Sequence, residues 1–271
     1  MNLRQRRVAA SPVSPEPQEM ARNAAEPLST KRDPWAQRNS ASTEAFGAAV
    51  VNFVIVTPMV LWGVVLLAGT ATYAGPEAAK NAHLPLAWYD AFFVRLGPLF
   101  FMLPLALRAF SDKQNVAAET SLPTPARAFV VYTIVGLVRL AVYLLGLALG
   151  SRAMSDHLFL GATVVASAQG EAIACAATAL RLMATARAGG GGVSRARLSL
   201  AMLAATAGML LATAMLALQC GDAYATAAYF HPPRETVVAW ATGFALCQSI
   251  ALVGSVVPAS RSLGAAAVAL A

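Results

Sequence analysis

Charge is what this sequence has least of. Asp, Glu, Lys and Arg make up 12% of the 271 residues, about half the share of an ordinary soluble domain. So little charge excludes a water-soluble globule and points to lipid as the solvent. Cysteine is scarcer still: Cys175, Cys220 and Cys247 are an odd set with no CxxC, which excludes a fully paired disulfide framework and a redox or zinc motif of that form. Two of them fall inside apolar runs, where cysteine behaves as a small hydrophobe.

Recognisable active-site signatures are also missing. The histidines are His83, His157 and His231, with only His157 even at the edge of an apolar run, so a membrane haem with axial histidines is excluded. There is no HExxH and no GxSxG elbow. No TVGYG-like filter occurs, and no span carries Arg at every third position as a voltage sensor would. The run of glycines at 189–192 is followed by Val-Ser rather than Lys-Ser/Thr, so it reads as a linker, not a phosphate loop. No cofactor is expected. The net charge of +7 is not interleaved with aromatics as a nucleic-acid surface requires, and no nucleic-acid partner is expected.

What is abundant is apolar length. Hydrophobic residues make up 58% of the chain, and mean hydropathy is +0.59. A bilayer core needs about 20 mainly apolar residues per helix. The runs that qualify are Phe46 to Tyr73, Trp88 to Phe110, Ala128 to Leu149, His157 to Leu182, Leu198 to Cys220 and Glu235 to Val257. The sequence therefore predicts an all-α, polytopic integral membrane protein of six transmembrane helices, a domain spanning residues 46–257. The second run contains Pro98 and Pro104, which should bend it.

Residues 1–45 are rich in Pro, Ser, Ala, Arg and Glu, a composition that cannot bury enough apolar surface to order itself. They are expected to be a disordered, basic cytosolic tail. The first ten residues faintly suggest a transit peptide, but Glu16, Glu19 and Glu26 soon follow, which such peptides avoid. The first apolar run begins too late and is too long for a cleaved secretory signal, so none is expected. Residues 258–271 are expected to be a short C-terminal cytosolic tail.

Lys and Arg test the topology. With six spans, 15 of them fall on the side of both termini and 3 on the other, with Arg95 and Arg139 inside spans. Basic residues collect on the cytosolic side, so both termini are expected there. Arg95 lies close enough to the outer end of its span to snorkel to the headgroups, and Trp88 and Tyr89 beside it suit an interfacial aromatic belt.

Two polar features stand out at membrane depth. Arg139 and Glu171 lie in the third and fourth spans, joined by a short outer link, at depths differing by roughly 3–6 Å. A charge at helix centre is costly and is retained for a reason, so these two are expected to pair. The pair is either a clasp fixing helix register or a site where Glu171 binds a proton, cation or substrate amine. The stretch Ser167, Gln169 and Gly170 beside Glu171 is too polar to face lipid. The second feature is the trio His83, His157 and His231 on the outer side among Asp and Glu, weak candidates for a metal site because their spacing matches no metal motif.

Helix packing leaves its own trace. Ala239, Gly243, Cys247, Ala251 and Ser255 recur at every fourth position of the sixth span, a small-residue face suited to close helix contact. Ala204, Gly208 and Ala212 do the same in the fifth, and the two faces are expected to meet. These features admit a transporter-like or channel-like bundle centred on Arg139 and Glu171. They equally admit a non-catalytic scaffold or assembly factor in which the pair is structural, and more remotely a lipid-modifying enzyme using the outer histidines. The bilayer, and other membrane subunits, are the partners such a chain would have.

Overall fold

A computed structural model describes residues 34–81, 87–114, 123–150, 154–189 and 194–270. Among these the chain is helical, with no strand. The chain divides after residue 41; of the first part only the helical start of α1 is described, and the packing below belongs to the second. The disorder expected for residues 1–45 lies, up to residue 33, outside the described residues. From Pro34 the chain is already in α1 (Pro34–Ala71).

Five helical segments are long and apolar enough to cross a membrane: Gly47–Ala71 of α1, α5 (Pro125–Ala148), α6 (Asp156–Arg187), Arg195–Phe230, which contains α7 (Arg195–Ala225), and Pro233–Val268. The second expected span is not one helix. It is α3 (Ala87–Leu96), a 3-10 turn over Gly97–Leu99 and α4 (Met102–Gln114), with the short α2 (Pro76–Asn81) before it. Pro98 and Pro104 supply no backbone N–H, so the ladder of hydrogen bonds cannot run through that region. The broken segment still lies alongside α7: the Tyr89 hydroxyl bonds Gln219 at one end and Ser111 bonds the Ala201 carbonyl at the other. Eighteen residues of α7 separate those contacts, about 27 Å at helical rise.

The helix at the centre is α6. Its apolar window is 94% buried inside the protein, against 17–28% for the other four. The composition explains the inversion. α6 carries Gly161, Ala162, Ala166, Gly170 and Ala174, small residues that let neighbouring backbones approach closely where lipid gives no hydrophobic drive between helices. Large residues sit outside instead: Phe53, Leu67, Leu137, Leu147 and Leu203 are all more than half exposed. Hydroxyls fix the helix starts, with Thr124, Ser155 and Ser194 accepting the third backbone N–H of α5, α6 and α7, as N-caps do.

Pro58 inside α1 leaves the Val54 carbonyl without its usual donor, a costly vacancy away from water. The Gln169 side chain of α6 fills it, donating to Val54 O at 3.1 Å and Ile55 O at 2.8 Å. One polar residue of α6 is thereby accounted for by a proline of the first helix.

The last segment runs from Pro233 to Leu270 as α8 (Pro233–Gly243), a π turn (Phe244–Gln248), α9 (Ser249–Ala251), a second π turn (Leu252–Val256) and α10 (Val257–Leu270). The expected tail from residue 258 is thus helical. Ala259 and Leu263 are buried with Ile173, Ala174 and Ala177 of α6, and Val50 and Val54 of α1 pack on them. Its apolar run is too short to cross but, being rich in Ala, Gly and Ser, small enough to fit between two helices.

The small-residue stripe is buried at all five positions. Its partners differ from expectation. A Cβ on Gly243 would come 2.5 Å from Ala162 of α6, and one on Gly208 would come 2.8 Å from Cys175 of α6. Both small faces turn toward α6 rather than toward each other, because the central helix offers the closest approach to each. In a uniform α-helix a four-residue stripe drifts about 40° per step, about 160° from Ala239 to Ser255. The two π turns have wider i→i+5 closure and take back that drift, keeping the stripe on one side.

Candidate functional site

Glu171 sits at the middle of α6 and is completely buried. Its partner is not Arg139. Arg108 of α4 donates from Nε to Glu171 Oε2 at 2.7 Å and from Nη2 to Oε1 at 2.8 Å, a two-pronged fork. The Tyr132 hydroxyl of α5 donates to the same Oε1 at 2.9 Å. The remaining Arg108 arm, Nη1, donates to the Pro123 carbonyl just before α5 at 2.7 Å. Arg108 is 0% and Tyr132 2% exposed.

Each local feature serves this geometry. The prolines that break α3 from α4 set α4 at its own angle against α6 and α7, bringing Arg108 inward. Gly170 is required next to Glu171: a Cβ there would lie 2.4 Å from the Tyr132 hydroxyl. Thr124 and Pro125 start α5 immediately after Pro123, fixing the carbonyl that Arg108 uses. A bidentate Arg–carboxylate pair is short, charge-assisted and directional. In a medium without water, each ion offsets much of the other's desolvation. The result ties α4, α5 and α6 together through one carboxylate.

Arg139 is placed elsewhere. It pairs with Asp156 at the start of α6, and its guanidinium lies 5.0 Å from the Tyr143 ring centre. The Asp156 side chain is 43% exposed. Depth counting brought Arg139 within reach of Glu171, but Asp156 lies closer to the hairpin turn and an arginine directed toward that end meets it first. Arg108 was indistinguishable in sequence from a basic flank of a cytosolic loop, two residues before the expected end of its span. Tyr132 carried no signal beyond its place in an apolar run.

A second polar cluster lies at the end of the bundle where α6 begins. His157 Nε2 is 2.8 Å from Asp222 Oδ2. Gln219 donates to the same oxygen at 3.3 Å, and Tyr89 donates to Gln219 at 3.1 Å. Phe93 packs against the His157 ring at 5.0 Å between centres. His231 is bonded separately to Glu235 at 2.8 Å, and His83 lies outside the described residues. The structure therefore does not bring His157 and His231 to one site. Among the described residues no three His, Cys, Asp or Glu side chains gather as metal ligands.

No family model matches this chain, and neither a curated protein nor a solved structure is found to match it.

Proposed function

We propose that this chain is a non-catalytic integral membrane protein, a scaffold or assembly factor, in which Arg108, Glu171 and Tyr132 form a clasp holding three helices in register. One observation carries the reading: both oxygens of Glu171 are occupied by donors of the protein itself, and all three side chains are at most 2% exposed. Three of the carboxylate's roughly four lone-pair directions are thereby taken, and the remaining one, on Oε2, is buried away from solvent. Six crossings with both termini on the cytosolic side belong to the same proposal. The path of α3–α4 along α7 supports the sixth crossing. Basic residues support the orientation, with 14 against 3 once the buried Arg108 is set aside.

A transporter-like reading has one observation in its favour: Arg108 is carried on a segment interrupted at Pro98 and Pro104, and discontinuous helices of this kind surround transport sites. In that reading the clasp is a closed state that opens. Dicyclohexylcarbodiimide, a lipid-soluble reagent for accessible protonated carboxyls, separates the two. With the protein in its membrane and modification read by mass spectrometry, a scaffold leaves Glu171 unmodified across the pH range in which the protein stays folded. Modification of Glu171 in the folded protein refutes the permanent clasp and favours transport. Orientation is tested with a membrane-impermeant maleimide: Arg234→Cys is expected to react from outside and Lys113→Cys only after permeabilisation.

A further inference from the structure

We propose that the outer half of α3 and α7 forms a binding site for one anionic glycerophospholipid, with Arg95 taking its phosphate. A groove of about 350 Å³ lies between the broken segment and α7, lined by Phe92, Leu96, Leu99, Leu103, Leu211 and Met215 among others. Its walls are apolar throughout, as an acyl chain requires. Trp88 stands at its outer end, 64% exposed, in the position of an interfacial aromatic.

Arg95 supplies the charge. It is exposed, and it has no hydrogen-bond or ion-pair partner among the described residues. It follows Trp88 by seven residues and Phe92 by three, which places all three on one face of α3. Tyr89 is level with Gln219 of α7, so Arg95 lies about 9 Å deeper, below the headgroups. Helical side chains tilt toward the N-terminus, which for α3 is the outer end, so the guanidinium is directed up toward the phosphate layer. An unpaired cation at that depth is costly unless an anion meets it. A lipid phosphate drawn slightly inward does so, while its acyl chain descends the groove between Leu99 and Leu211. Arginine is suited to the task because its planar fork can bind phosphate through two hydrogen bonds. This site is separate from the clasp and stands whether the clasp is permanent or opens; it rests on α3–α4 lying at bilayer depth.

The test uses the full chain in nanodiscs of phosphatidylcholine and phosphatidylglycerol at four to one, released and weighed by native mass spectrometry. Wild type is expected to retain one phosphatidylglycerol in preference to phosphatidylcholine. One favourable charge contact near the surface corresponds to about a fivefold preference. Arg95→Gln should lose that preference and Arg95→Lys keep part of it. Ala214→Trp, which fills the groove without touching the charge, should lower retention of both lipids. Equal retention of the two lipids by wild type, or unchanged preference in Arg95→Gln, overturns the proposal. Placement is scored independently with an environment-sensitive dye on Leu99→Cys. Emission typical of water there refutes the bilayer position and the site together, whereas emission typical of lipid with no Arg95 effect refutes the site alone.

Discussion

Neutralising Glu171 while Arg108 stays in place should be worse for the protein than removing both. In Glu171→Leu the guanidinium loses its counter-charge and keeps only the Pro123 carbonyl, in a position 0% exposed. Breaking a buried pair from one side costs about 3–5 kcal/mol, because the other charge is left desolvated. Arg108→Leu strands the carboxylate with only the Tyr132 hydroxyl and also strips the Pro123 carbonyl of its donor, adding about 1 kcal/mol. The double change Arg108→Leu with Glu171→Leu removes both charges. It leaves one hydroxyl and one carbonyl unpaired, a loss of about 1–3 kcal/mol. The cycle should therefore close with a coupling of about 3 kcal/mol or more in favour of the double variant. Equilibrium unfolding in mixed micelles of dodecyl maltoside and sodium dodecyl sulfate, followed by tryptophan emission, measures all four proteins. If the double variant loses the sum of the singles to within about 0.5 kcal/mol, the two residues are independent and the clasp does not exist.

Arg139→Gln should cost less than about 1 kcal/mol in the same assay, since its partner Asp156 is 43% exposed and such pairs contribute little; a loss as large as that of Arg108→Leu would restore Arg139 to the core. Gly170→Ala should lose about 1–3 kcal/mol by pressing a methyl into the Tyr132 hydroxyl. Gly170→Ala should cost less in a Tyr132→Phe background than in the wild type, and an equal cost in both would locate the strain elsewhere. Gln169→Leu should cost about 1–3 kcal/mol by leaving the Val54 carbonyl of α1 unmet. Combined with Pro58→Ala, which restores an N–H to the Val54 carbonyl, it should cost less; purely additive losses would refute that linkage.

The all-helical class and the position of nearly every long apolar helix were legible because apolar length is a one-dimensional property of the chain. Glu171 was legible too, since a charge in the middle of an apolar run has few bland explanations. Its partner was not. Pairing in lipid is decided by which helices neighbour each other, and depth counting along one hairpin considers only the sequential neighbour α5. α4 reaches Glu171 from outside that hairpin, and its proline breaks, visible as residues, do not announce the angle they produce. Ala239 to Ser255 were recognisable as a packing face, yet a stripe of small residues names no partner. What selected α6 was that it is the helix richest in small and polar residues, a comparison across spans rather than within one.

The two π turns between Gly243 and Val257 have a mechanical consequence. Each behaves as a stored extra residue, so the rotational setting of one end of this segment against the other depends on residue count and not on helix phase alone. If either turn closed into ordinary i→i+4 bonds with all its residues kept, everything on one side of it would turn by about 100°. The helix would be more regular and its own hydrogen bonds no fewer. Its five small residues would no longer share a side, however, and bulky ones would swing against Ala162 and Gly170. Here an irregular backbone is the condition for a regular interface.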